Sequence, residues 1–238
     1  MNILVIGRGG REHAILWSLK RSDKVKQLYC APGNAGTARI AENVDIGEFE
    51  FDKLVQFSLD NAIDLVVVGP DDPLAAGIVD VFEAAKVPVY GPRKNAAEIE
   101  GSKIFMKNLL KKYNIPTAKY ETFTDYETAL AYLREQPVPI VIKADGLAAG
   151  KGVTVCFTRE QAEEALRETM VSKSFGAAGD KIVIEEFLEG QEMSILAFVD
   201  GETVRPMSAA QDHKPVFDGD KGPNTGGMGT YSPLPHIP

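Results

Sequence analysis

The hydrophobic and polar positions of the first hundred residues repeat one rhythm. A short β-branched run comes first, then a glycine or proline turn, then a stretch of helical periodicity. The runs are 3–6, 27–31, 65–68 and 87–90, and stretches such as 12–20 and 74–85 predict crossover helices between parallel strands. Each run ends in a polar or glycine-bearing turn: Gly7-Arg8-Gly9-Gly10, Pro32-Gly33-Asn34-Ala35-Gly36, Gly69-Pro70-Asp71-Asp72-Pro73 and Gly91-Pro92-Arg93. In a doubly wound sheet such turns share the edge at the carboxyl ends of the strands, where ligands bind.

Gly7-x-Gly9 after a strand invites a dinucleotide reading, but Glu12 stands where the third glycine of G-x-G-x-x-G belongs. A carboxylate at the start of the helix repels a pyrophosphate. Gly9, Gly10 and Arg11 still offer amides and a cation to one phosphate or carboxylate. The structural alternative is a tight turn with Arg11 salt-bridged to Glu12.

Residues 96–113 read as one helical connection between domains, stopped by Asn114-Ile115-Pro116, with Lys103 as a face residue beside Ser102. Beyond it, Ile140-Val141-Ile142-Lys143-Ala144-Asp145 and the run 153–157 flank Gly146-Leu147-Ala148-Ala149-Gly150-Lys151-Gly152. That is a hairpin rather than a Walker loop, because no Ser/Thr and no helix follow Gly150-Lys151. Small residues there let amides crowd around phosphate oxygens, and Lys143 and Lys151 add point charges. Residues 159–170 predict a helix capped by Thr158, with Ala162, Ala165, Leu166 and Thr169 on its inner side. The run 181–190 passes from apolar residues into Glu185, Glu186, Phe187 and Leu188. It is either a platform for a flat base, with Glu192 at ribose hydroxyls, or an edge strand ending in solvated carboxylates. Residues 193–199 and 203–210 predict a hairpin turning at Asp200-Gly201. The stretch 212–229 mixes Asp212, Lys214, Asn224 and Thr225 with Gly226, Gly227 and Gly229, and reads as a loop without regular structure that touches something small and anionic. Its glycines are expected at positive φ.

The chain has 238 residues, 44% hydrophobic and 25% charged, which suits a folded protein of two domains. A net charge of -8 argues against a nucleic-acid surface, so an anionic substrate needs locally placed Lys, Arg and amides. Cys30 and Cys156 form no Cys-x-x-Cys pair, which points to a reducing cytoplasm. No apolar stretch approaches the length of a membrane span or a signal-peptide core.

Taken in order, Gly9-Gly10-Arg11-Glu12-His13-Ala14, Ala31-Pro32-Gly33-Asn34-Ala35-Gly36-Thr37, Val68-Gly69-Pro70, the 143–153 string and Asp212-His213-Lys214 with its glycines make the chain resemble the glycinamide ribonucleotide synthetase (phosphoribosylamine-glycine ligase) family of ATP-grasp enzymes. The resemblance implies a fold that is α/β and α+β. A Rossmann-like domain spans 1–100, a helical connection 101–120, an ATP-grasp lid 121–188 and the start of an incomplete central ATP-grasp domain 189–238.

The resemblance also implies ATP near Lys103, Lys143, Gly150, Lys151, Gly152 and Glu185, with adenine at Phe187 and Leu188 and ribose at Glu192. Phosphoribosylamine and glycine are implied to lie at Gly9, Gly10, Arg11, Asn34, Thr37, Asp212, Lys214, Asn224, Thr225, Gly226 and Gly227. His13 is implied to be a structural hydrogen-bond partner. Glycine would be activated as glycyl phosphate and captured by the amine of 5-phosphoribosylamine, work done by positioning and charge neutralisation without a nucleophilic side chain.

Arg8 and Pro215 depart from the family's usual residues at their positions. The ligands for Mg2+ (or Mn2+) follow the glycine loop in the family and are expected beyond residue 238. The chain is therefore expected to be the front of a longer protein with little activity alone. Two other readings remain, an ATP-grasp ligase acting on a different carboxylate and a nucleotide-binding module that never catalyses.

Overall fold

The computed structural model describes residues 1–146, 152–219 and 221–237. They form two compact units, Met1–Gly101 and Ser102–Pro238. No helix among the described residues is long and apolar enough to cross a membrane.

The first unit runs β1 (Asn2–Gly7), α1 (Gly10–Leu19), β2 (Gln27–Pro32), β3 (Glu42–Asn43), α2 (Phe51–Asp60), β4 (Leu65–Val68), α3 (Asp71–Ala76), α4 (Ile78–Ala84), β5 (Val89–Tyr90) and α5 (Lys94–Gly101). Its five strands are all parallel, in the order β3-β2-β1-β4-β5. Gly7 lies level with Pro32, and Ile6 with Val68, so the turns after β1, β2 and β4 meet at one edge as the rhythm predicts. Leu4, Ile6, Val66, Leu54 and Phe82 fill one side of the sheet, and Ile3, Val5, Leu16 and Cys30 the other. The single helix expected over 74–85 is broken at Gly77, whose φ of 98° is open to glycine at little cost and ends α3.

The second unit comprises α6 (Lys103–Lys112), β6 (Tyr120–Phe123), α7 (Tyr126–Glu135), β7 (Ile140–Ala144), β8 (Val153–Cys156), α8 (Arg159–Met170), β9 (Ile182–Glu186), β10 (Ala197–Asp200), β11 (Thr203–Pro206), β12 (Gln211–Phe217) and β13 (Lys221–Tyr231). An antiparallel sheet of order β6-β9-β7-β8 packs one face on α7 and α8 through Ile140, Ile142, Cys156, Ile182, Ile184 and Leu166. β7 and β8 pair as the expected hairpin, and Ala144 N–H donates to Gly152 O at 2.8 Å to extend the ladder. α8 has its predicted bounds, its Thr158 cap and its four predicted buried residues.

Three further expectations are corrected. The helical stretch over 96–113 is two helices, because Ser102 adopts an extended conformation and its hydroxyl accepts from Phe105 N–H at 3.1 Å, starting a new helix. The run 181–190 gives an interior strand, β9, rather than an edge. The stretch 212–229, expected to lack regular structure, forms most of an antiparallel hairpin, β12–β13. Backbone ladder bonds need no particular side chains, and the awkward residues are absorbed by a bulge. His213 pairs with Gly229 and Pro215 with Asn224, so two steps along β12 answer five along β13. The extra residues fall within 225–228. Of Gly226, Gly227 and Gly229, only Gly227 takes a positive φ, at 123°.

Candidate functional site

In the first unit the turns after β1, β2 and β4 are wired to one another. Glu12, 3% exposed, folds back so that its carboxylate accepts from Gly9 N–H at 2.6 Å. A Cβ added to Gly69 would lie 2.0 Å from Glu12 Oε1, so the glycine after β4 makes room for that carboxylate. A carboxylate thus sits at the α1 N-terminus, where it repels a pyrophosphate.

Arg11 does not pair with Glu12. Its Nη1 donates to Gly69 O at 2.7 Å and approaches Asp71 at 3.5 Å, with most of the side chain exposed. Arg8 is engaged in a two-pronged pair with Glu48, at 3.0 and 3.1 Å, which raises the guanidinium pKa.

Asn34 and Thr37 build the β2 turn. Asn34 Nδ2 donates to Arg8 O at 2.8 Å, and its Oδ1 accepts from Gly36 N–H and Thr37 N–H. Thr37 is fully buried; its hydroxyl oxygen accepts from Asn34 N–H at 2.7 Å, and its one proton is shared between Asn34 O and Asn43 Oδ1. Gly9, Gly10 and Arg11 beside it are all exposed. The His13 ring sits against Gly36, where a Cβ would come within 2.9 Å of it.

In the second unit the sheet face opposite α7 and α8 is polar where it counts. Lys143 on β7 stands level with Val183, and Val141 level with Glu185 on β9, so Lys143 and Glu185 are diagonal neighbours on that face. Glu185, 6% exposed, has one carboxylate oxygen in an ion pair with Lys143 and the other 2.5 Å from Lys107 Nζ on α6. That second contact is an ion pair without hydrogen-bond geometry. The Lys107 ammonium also donates to Thr117 Oγ1 at 2.7 Å and Ala118 O at 3.4 Å, and lies 5.2 Å from the centre of the Tyr120 ring.

At the front of α6, Asp145 Oδ1 accepts from Ile104 N–H at 2.7 Å, while Lys103 Nζ donates to Gly146 O at 3.0 Å. Lys103 is therefore turned into the unit rather than into solvent. Phe187 packs against Phe157 with ring centres 6.0 Å apart, and Leu188 and Glu192 are exposed beyond the end of β9. Gly150 and Lys151 lie outside the described residues.

On the last hairpin, Asp212 and Lys214 form an ion pair along one strand face. Thr225 Oγ1 donates to Lys214 O at 2.8 Å and accepts from Gly227 N–H at 3.0 Å, which shapes the bulge; Gly226 and Gly227 have open space where a Cβ would be. Asn224, level with Pro215, is half-buried at the base of the bulge. Burial pushes the Cys30 and Cys156 thiols up to about 11, so neither is a nucleophile at neutral pH.

Lys107 escaped the sequence reading, although a lysine amid Ile104, Phe105, Met106, Leu109 and Leu110, one turn past Lys103, was its available signal. Asp145 was visible only as the end of a strand.

Two family models match the chain along its length. That described as phosphoribosylglycinamide synthetase, N domain, matches residues 1–100, and that described as phosphoribosylglycinamide synthetase, ATP-grasp (A) domain, matches residues 101–238. Phosphoribosylamine-glycine ligase of Halalkalibacterium halodurans is 57% identical over 237 residues, covering 100% of this chain and 55% of that protein. The Escherichia coli protein of the same name is 55% identical over 239 residues, covering 100% of this chain and 56% of its own length. The crystal structure of phosphoribosylamine-glycine ligase from Thermotoga maritima superimposes with a TM-score of 0.83 at 34% identity, covering 100% of this chain and 56% of that one. A biotin carboxylase domain from Hydrogenobacter thermophilus shares the fold alone, with a TM-score of 0.69 at 17% identity. The chain spans about half the length of the curated relatives it matches. On these matches, carried by both units, the chain belongs to the phosphoribosylglycinamide synthetase family of ATP-grasp carbon-nitrogen ligases.

Proposed function

We propose that this chain supplies the nucleotide-binding face and part of the substrate-binding surface of a cytoplasmic ligase of purine biosynthesis that joins glycine to 5-phosphoribosylamine at the expense of ATP. The observation that carries the reading is the Lys107–Glu185–Lys143 cluster, charged groups held on one face of a sheet whose other face is apolar. Such a cluster is costly to bury, and a polyanionic ligand makes sense of it.

In the reaction the γ-phosphoryl group of ATP passes to the glycine carboxylate and ADP leaves. The amine of phosphoribosylamine then displaces phosphate from glycyl phosphate, losing a proton, to give the amide. The chain's own share is position and charge. Lys103, Lys143 and Gly152, with Gly150 and Lys151 outside the described residues, hold the triphosphate, and Glu185 fixes Lys143. Phe187 and Leu188 take the adenine, and Glu192 accepts from ribose hydroxyls. Gly9, Gly10, Arg11, Asn34 and Thr37 in the first unit bind the substrates, as do Asp212, Lys214, Asn224, Thr225, Gly226 and Gly227 in the second. Asn34 and Thr37 serve by shaping their turn.

A divalent cation, Mg2+ or Mn2+, would neutralise the β- and γ-phosphates. Among the described residues no group of three His, Cys, Asp or Glu side chains is placed to hold one, so no step above runs through it. The division into 1–100, 101–120, 121–188 and 189–238 is part of this proposal.

Titration calorimetry with ATP tests it. Lys143→Ala is expected to weaken ATP binding about tenfold or more and Lys20→Ala to leave it unchanged. Equal effects would sink the reading. ATP binding that glycine and phosphoribosylamine never alter would favour a nucleotide-binding module instead.

A further inference from the structure

The cluster around Glu185 holds two ammonium groups and one carboxylate, and the two ammoniums are not equivalent. Lys107 is 5% exposed; its Nζ donates to Thr117 Oγ1 and Ala118 O and lies in an ion pair with Glu185 Oε2 that has no hydrogen-bond geometry. Buried against those three partners, it is closed to a ligand. Lys143, on the other carboxylate oxygen, is 26% exposed. A carboxylate facing Lys143 alone would cancel its charge in a strong local pair, because neighbouring opposite charges attract steeply where water is scarce. With Lys107 on the other oxygen the three groups sum to one positive charge, and only Lys143 can present it.

We infer that Lys107 is a positioning residue: by neutralising Glu185 from within, it keeps the charge of Lys143 available to the phosphates of a bound nucleotide. Glu185 then orients Lys143 without quenching it. This rests on the nucleotide reading given above.

The 238-residue chain is titrated with ATP, and separately with inorganic tripolyphosphate, in four forms: wild type, Lys107→Met, Lys107→Met/Glu185→Gln and Lys143→Met. Lys107→Met, which leaves Glu185 to capture Lys143, is expected to weaken binding about tenfold. Lys107→Met/Glu185→Gln, which removes both internal charges and frees Lys143, is expected to return to within about threefold of wild type. A purely structural role for Lys107 predicts the opposite order, with the double variant no better than the single. Binding by folded Lys107→Met equal to wild type, or a double variant as weak as the single, overturns the inference.

If Lys107→Met does not fold, the double variant against wild type decides: near-equal affinity supports the inference and a tenfold loss overturns it. Wild-type binding of tripolyphosphate without any preference for ATP sinks the nucleotide reading while the same series still judges Lys107. Wild-type binding of ATP with Lys107→Met unchanged sinks only the role of Lys107. A wild-type chain that binds neither polyanion sinks both.

Discussion

The N-termini of α1 and α6 are built to one plan with different materials. In each, a carboxylate accepts from one backbone amide at the start of the helix, Glu12 from Gly9 N–H at α1 and Asp145 from Ile104 N–H at α6, and a cation beside it leans on a carbonyl of a neighbouring turn, Arg11 on Gly69 and Lys103 on Gly146. In α1 the carboxylate belongs to the helix itself, and the cation is 61% exposed. In α6 the carboxylate arrives from the end of β7, and a few residues further on the helix sends Lys107 into a charged cluster that is almost dry. Local capping holds a turn in shape and costs little to alter. A buried network couples distant elements, and its parts cannot be removed one at a time.

Glu185→Ala breaks the comparison hardest. It leaves two ammonium groups facing a void, one of them buried, and should destabilise the second unit by about 3–5 kcal/mol in denaturant titration or calorimetry. Gly69→Ala probes the first unit at its tightest point. Its Cβ would displace the Glu12 carboxylate from Gly9, with an expected loss of about 1–3 kcal/mol by the same measurement. Thr158→Ala removes a cap that stands apart from either charged site and should cost about 1 kcal/mol, an internal reference for ordinary capping. Arg11→Ala should shift stability by no more than about 0.5 kcal/mol, since its ion pair with Asp71 is long and solvated. A large loss at Arg11 together with a small one at Glu185 would reverse the ranking and remove the distinction.

The parts legible in the sequence are those where a local rule and the packing agree. The Thr158 cap and the inner residues Ala162, Ala165, Leu166 and Thr169 are written into 13 consecutive positions, 158–170, and the structure keeps all of them, adding Gln161 as the partner in a capping box. The parallel strands were legible through their β-branched runs, but β3 is only two residues long and carries no pattern. The apolar positions of α2 recur at helical spacing over only ten residues. The hairpin β12–β13 was obscured because proline, charges and glycines look like a loop until a partner strand supplies the ladder. At the site, Lys143 and Glu185 were each singled out, yet their ion pair depends on a two-residue diagonal in the β7–β9 register that no single run reveals. Lys107 stayed hidden because it is one of four lysines on α6 and looks like any surface residue until its fold partner is known.

The web joining Glu12, Asn34, Thr37 and Asn43 has a thermodynamic consequence. Its polar groups are already satisfied by one another, so the cost of ordering those turns is met when the chain folds. That corner of the first unit is therefore stiff before anything approaches it.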